Sequence, residues 1–152
     1  GRMDGRAVRI TPYDDTEHRE RVCELWRQVF GYKDAHNTPE LVIDRKLAFG
    51  DGLFFVAVSG DDVIGTVMAG YDGHRGWIYL LAVSDARRRQ GIGAALLERA
   101  EEELARRGCV KINLQILESN DGVTGFYRRN GYAAEKRISM GKRIPVNIPD
   151  AR

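Results

Sequence analysis

The chain has 152 residues, 43% hydrophobic and 30% charged, with a formal net charge of +2; this is the make-up of one soluble globular domain with a core of its own. No apolar run approaches the roughly 18 residues that span a bilayer, and the polar start Gly1-Arg2-Met3-Asp4-Gly5-Arg6 contains no apolar signal segment, so no membrane partner and a cytoplasmic location are expected. Cys23 and Cys109 stand without metal-ligand spacing and read as thiols of a reducing compartment; no metal is expected.

Val8-Arg9-Ile10 alternates as a short strand before Thr11-Pro12. Asp14, Asp15 and Thr16 offer caps for a helix to about Phe30, with Val22, Leu25, Trp26 and Val29 on one stripe and Gly31 as its stop. Thr38-Pro39-Glu40 starts a second helix, a capping hydroxyl followed by proline at the first helical position, with Leu41, Ile43, Leu47 and Phe49 as its apolar residues. Strands follow over 53–58 and 63–71, joined by Ser59-Gly60-Asp61-Asp62, and a third over 77–83 after Asp72-Gly73-His74-Arg75-Gly76. This antiparallel meander is not how a doubly wound dinucleotide fold begins. A helix over about 91–107 buries Ile92, Leu96, Leu97, Ala100 and Leu104, carries the pairs Glu102 to Arg106 and Glu103 to Arg107, and ends at Gly108. A strand over 110–117 then completes a strand–helix–strand crossover, which makes it parallel to strand 77–83. A last helix over 121–130 and a final strand over 133–140 close the fold. Residues 1–152 thus read as a single domain, with 1–6 and 145–152 as flexible tails.

The passage from Ile78 to Leu97 places an apolar strand, the basic turn Arg87-Arg88-Arg89-Gln90-Gly91-Ile92-Gly93 and a helix start in succession. Glycines let backbone N–H groups approach a ligand, and the helix start directs free N–H groups and the positive end of its dipole to the same place. A phosphate or pyrophosphate suits this turn. The P-loop is excluded because no lysine follows the glycines, and the dinucleotide fingerprint is opposed by Leu96 at its third glycine position. Because this is the one compact basic run, a small phosphate ligand is favoured over nucleic acid.

Arg88-x-x-Gly91-x-Gly93 resembles the Arg/Gln-x-x-Gly-x-Gly/Ala motif of the GNAT acetyltransferase superfamily, in which the turn holds the pyrophosphate of acetyl-coenzyme A. Asn120, followed seven residues on by Tyr127 within Phe126-Tyr127-Arg128-Arg129-Asn130-Gly131-Tyr132, resembles the second half of the same pattern. Gly70-Tyr71-Asp72-Gly73-His74-Arg75-Gly76 and Gly141-Lys142-Arg143 look like the small bacterial YpeA-type acetyltransferases. Glu118-Ser119-Asn120 is also similar to the ribosomal-protein alanine N-acetyltransferases. In those enzymes a fifth-strand glutamate serves as base; Gln115 stands at that position here and takes no proton.

The resemblance implies an α/β GNAT fold: a mixed, mostly antiparallel sheet splayed between two parallel strands and flanked by about four helices. It implies direct acetyl transfer from acetyl-coenzyme A to a primary amine of a small molecule or peptide, and family members often pair as homodimers. Arg88, Arg89, Gln90, Gly91, Ile92, Gly93 and Ala94 would hold the pyrophosphate. Main-chain groups of Leu81, Ala82 and Val83 would hold the pantetheine arm and polarise the thioester, and Asn120 would bond the arm. Tyr127 would protonate the leaving thiolate. His74 is the candidate base because histidine is the side chain suited to proton transfer at physiological pH, with Glu118 and Tyr79 behind it. Neither cysteine lies in the motif region, which favours direct transfer. Two other readings stand beside this one: a coenzyme A-binding module without chemistry, supported by Gln115, and a dinucleotide-dependent oxidoreductase, opposed by Leu96 and the meander.

Overall fold

The computed structural model describes residues 7–34 and 37–145. These fall into two compact units that part between Gln115 and Ile116. The expected tails lie outside the described residues, Pro145 apart.

The first unit contains β1 (Val8–Pro12), α1 (Asp15–Phe30), α2 (Pro39–Phe49), β2 (Phe54–Ser59), β3 (Asp62–Tyr71), β4 (Gly76–Val83), α3 (Ile92–Arg106) and β5 (Ile112–Asn113). The strands form one sheet in the order β1-β2-β3-β4-β5. The first four are antiparallel in succession and β5 joins β4 in parallel, the mixed topology expected from the sequence. Helix ends follow local chemistry: Asp14 accepts from the Glu17 N–H at 2.9 Å, Thr38 accepts from the Leu41 N–H at 3.3 Å, and Gly31 and Gly50 close α1 and α2 in the left-handed conformation.

Successive residues of β3 face opposite sides of the sheet, so its two covers can be read from adjacent positions. Thr66 bonds the Trp26 indole of α1, whereas Gly65 faces Leu96 and Ile92 of α3. On the α1 side, Val22, Leu25 and Trp26 pack with Phe54, Val56 and Met68 into a buried cluster. The whole expected stripe of α3, Ile92, Leu96, Leu97, Ala100 and Leu104, is buried. A Cβ on Gly65 would lie 2.8 Å from Cδ1 of Leu96 and 3.0 Å from the Ala82 carbonyl, so the missing side chain is what brings α3 down onto β3 and β4.

Four expectations need correction. The strand over 110–117 shrinks to Ile112–Asn113, because Val110 and Leu117 are 90% and 78% exposed and no burial fixes the rest of the run in register. Residues 133–140 form no strand; Ile138 and Met140 are exposed, so no buried face fixes the run. In α2 the apolar residues Leu47 and Phe49 are exposed and Lys46 is buried instead. On α3, Glu103 takes both Arg106 and Arg107.

The second unit contains α4 (Asp121–Arg129), capped by Asn120, whose side chain accepts from the Val123 N–H at 3.3 Å. Tyr127 is buried there, with Phe126 and Tyr132 edge-on to its ring.

Candidate active site

The site begins with a bulge in β4. Its register against β3 runs regularly from Gly76 to Tyr79, then shifts between Met68 and Thr66, so that Leu80 and Leu81 together oppose one residue. Leu80 takes a φ of +51°, unusual for a branched side chain. A buried chain of hydrogen bonds holds it there: the Trp26 indole N–H donates to the Thr66 hydroxyl at 2.9 Å, and that hydroxyl donates to the Leu80 carbonyl at 2.9 Å. β4 pairs with β5 only at Gly76 and Trp77. Beyond them, among the described residues of the first unit, the Leu81–Val83 edge has no strand across it.

The chain then turns through a short 3-10 segment, Asp85–Arg87, into α3. Arg87 is buried and its Nε donates to the Gln90 side chain at 3.2 Å, which stiffens the turn from within. Arg88 reaches Asp85 at 3.1 Å and is exposed. Arg89 and Gly91 both adopt positive φ, 64° and 78°. Helix α3 starts without a side-chain cap and without an acidic residue in its first turn, whereas α1, α2 and α4 each have a capping side chain. The N–H groups of Ile92, Gly93 and Ala94 therefore lack intrahelical partners at the positive end of the dipole. A Cβ on Gly91 would meet nothing within 4 Å, so the approach to these donors is open. Such a turn can hold a diphosphate.

On the α1 and α2 face of the sheet lies a cavity of about 530 Å³, walled by Lys46 and Phe49 of α2, Met68 and Tyr71 of β3, and Trp77 and Tyr79 of β4. The buried Lys46 ammonium donates to the Asp51 carboxylate at 2.9 Å, the Ala69 carbonyl at 2.5 Å and the Tyr79 hydroxyl at 2.6 Å. Asp51 also accepts from the Leu53 N–H at 3.0 Å. Sequence reasoning missed Lys46 and Asp51, and ranked Tyr79 low. A lysine spaced three residues after the buried Ile43 was the one available signal.

His74 sits in the β3–β4 turn, its backbone N–H donating to Asp72 at 2.7 Å, and is exposed. It is not among the residues lining the cavity, although its neighbours Tyr71 and Asp72 are. In the second unit, burial pushes the Tyr127 phenol up to about 12, so it keeps its proton at neutral pH. Cys23 is buried and its thiol is pushed up to about 11, first by burial and then by the charge of Glu40, which leaves it a poor nucleophile. No described helix is long and apolar enough to cross a membrane.

Residues 19–132 match the family model described as the acetyltransferase (GNAT) family. Among solved structures, a transcriptional regulator from Bacillus halodurans superposes with a TM-score of 0.72 at 22% identity, covering 91% of this chain and 100% of the other. An aminoglycoside acetyltransferase from an uncultured soil metagenomic sample gives 0.71 at 22% identity, covering 90% and 95%. The PaiA N-acetyltransferase from Thermoplasma acidophilum, solved with coenzyme A, gives 0.70 at 18% identity, covering 87% and 93%.

Proposed function

Because this chain belongs to the acetyltransferase (GNAT) family, we propose that it transfers the acetyl group of acetyl-coenzyme A directly to a primary amine. The observation that carries this reading is the uncapped start of α3 behind two left-handed residues, Arg89 and Gly91, next to the open Leu81–Val83 edge. One is a diphosphate cradle; the other is a row of main-chain groups suited to an amide-bearing arm. The cosubstrate supplies an activated acyl carbon.

The chain's residues supply the rest. N–H groups of Ile92, Gly93 and Ala94, with Arg88 and Arg89, hold the diphosphate; Gln90 accepts from Arg87 through Oε1, which leaves its amide nitrogen and its main chain to contribute. A main-chain N–H of Leu81–Val83 polarises the carbonyl, and the bulge at Leu80 orients it. The amine nitrogen bonds to the acyl carbon as the carbon–sulfur bond breaks, and Tyr127 gives its proton to the departing sulfur. A phenol of ordinary pKa 10.0 is already protonated at working pH, and burial keeps this one so while making it a weaker acid. Asn120 serves α4 as its cap through Oδ1, which leaves its amide nitrogen as the group to meet the arm. An amine arriving neutral attacks without prior deprotonation; the proton its nitrogen sheds as the amide forms passes through water to the solvent-exposed His74 or back to the Tyr127 oxygen, which has given its own to sulfur.

A binding module without chemistry is the second reading, favoured by Gln115 in place of a glutamate. Initial-velocity measurements separate the two: thiol release that depends on added amine, with intersecting double-reciprocal lines, supports direct transfer. Tight acetyl-coenzyme A binding with no amine-dependent release supports the binding module. The oxidoreductase reading finds no support in α3, where Leu96 occupies the position that a dinucleotide fold keeps small and close packing is supplied from the strand by Gly65.

A further inference from the structure

We infer that the cavity between α2, β3 and β4 selects the acceptor, and that it takes a small primary amine carried on an aromatic body with a carbonyl oxygen beside the amine. This rests on the acetyltransferase reading and deepens it. Three observations carry it.

The first is the aromatic lining. Phe49, Trp77 and Tyr79 come from two different elements and are 74%, 36% and 39% exposed, yet all line this one cavity. Large aromatic faces left in contact with water around a concavity mark a binding surface for an apolar body. About 530 Å³ suits a single ring with a short side chain.

The second is charge. Of the two carboxylates on the described wall, Asp51 is matched by Lys46 and accepts from the Leu53 N–H, whereas Asp72 accepts only from the neutral N–H groups of His74, Arg75 and the Trp77 indole. Donors without charge leave Asp72 anionic, so the described wall offers one carboxylate for one ammonium; a polycationic acceptor such as a polyamine or an aminoglycoside would find no second.

The third is the direction of one proton. An ammonium has three N–H donors and no acceptor, and Lys46 spends them on Asp51, Ala69 and Tyr79. The Tyr79 oxygen therefore accepts from Lys46, and its own O–H, with no acceptor among the described residues, faces the cavity as a donor. A carbonyl oxygen on the substrate completes it.

The test is steady-state acetylation of L-phenylalaninamide, 2-phenylethylamine and spermidine by the full chain, with acetyl-coenzyme A binding measured by titration on the same samples. The inference predicts kcat/KM for L-phenylalaninamide at least about tenfold above spermidine. Tyr79→Phe should lower the preference for L-phenylalaninamide over 2-phenylethylamine by about tenfold, mainly through KM, because only the former carries the carbonyl. Phe49→Ala, a substitution at an exposed position, should raise KM for both aromatic amines and leave the melting temperature unchanged. Acetyl-coenzyme A binding with spermidine preferred, or with the ratio between the two aromatic amines unmoved by Tyr79→Phe, overturns this inference and leaves the acetyltransferase reading intact. Failure of the wild-type chain to bind acetyl-coenzyme A overturns both.

Discussion

The indole N–H of Trp26, on α1, donates to the hydroxyl of Thr66, on β3, at 2.9 Å, and both residues are fully buried. The bond joins the helical layer to the bulge of β4, because the same hydroxyl donates to the Leu80 carbonyl. Thr66 thereby serves two ends at once, satisfying a buried donor and fixing a backbone conformation that leucine adopts rarely.

Thr66→Val keeps the shape and removes the hydroxyl. Leaving the Trp26 donor and the Leu80 carbonyl without it should cost about 1–3 kcal/mol in denaturant unfolding. The KM for acetyl-coenzyme A should also rise, since the Leu81–Val83 edge is aimed by that bulge. Thr66→Ser, which restores the hydroxyl, should recover most of both effects.

Gly65→Ala tests the close approach of α3. Its Cβ would meet Leu96 at 2.8 Å and, less able to move, the Ala82 carbonyl at 3.0 Å. The helix must shift outward or the strand must bend, at a cost of about 1–3 kcal/mol. A fall in melting temperature is expected; an unchanged or raised one would show that the layer gap is not set by this residue.

These two sites differ in how far the sequence exposes them. Caps and stops were legible because they depend on single residues: Thr38 with Pro39 starts α2 and Gly31 stops α1 by local chemistry alone. The buried stripe of α3 was legible because five apolar residues share one face. The positive φ of Leu80 was not, since no glycine marks it and its cause lies in Thr66 and Trp26, distant in sequence. Lys46 reads as a solvated charge until Asp51, the Ala69 carbonyl and Tyr79 are brought around it. The run over 110–117 alternates as a strand does, but a strand needs a neighbour, and among the described residues of that run in the first unit only Ile112 and Asn113 have one.

Lys46→Met removes the ammonium and keeps the length of the side chain. Asp51, whose side chain is 13% exposed, would be left charged and short of its main partner. Breaking such a pair from one side costs about 3 kcal/mol, so a clear loss of stability by urea unfolding is expected. A neutral result would mean that water reaches the Asp51 carboxylate freely.

Tyr127→Phe separates chemistry from binding. With the phenol gone, kcat should fall by about 10²-fold while acetyl-coenzyme A binding is kept. The same variant has a signature in stability. The folded-state pKa of about 12 lies above the ordinary 10.0, so the folded chain holds this proton where the unfolded chain has lost it. Its contribution is complete below pH 10 and is lost as the pH rises from 10 towards 12. Tyr13 and Tyr32 are also raised by burial and act in the same direction. The difference between wild type and Tyr127→Phe isolates the one residue: the variant should lose less stability over that interval, by thermal melting at each pH.

The most direct measurement of the central claim is calorimetric titration of acetyl-coenzyme A into the wild-type chain and into Gly91→Glu, each checked for folding by circular dichroism. Gly91 sits at a φ of 78° with open space where its side chain would be, and it directly precedes the first turn of α3, so a glutamate there brings a negative charge next to the diphosphate donors. The account predicts saturable binding by the wild type, and its loss in a folded variant. Equal binding by both proteins, or none by the wild type, would contradict it.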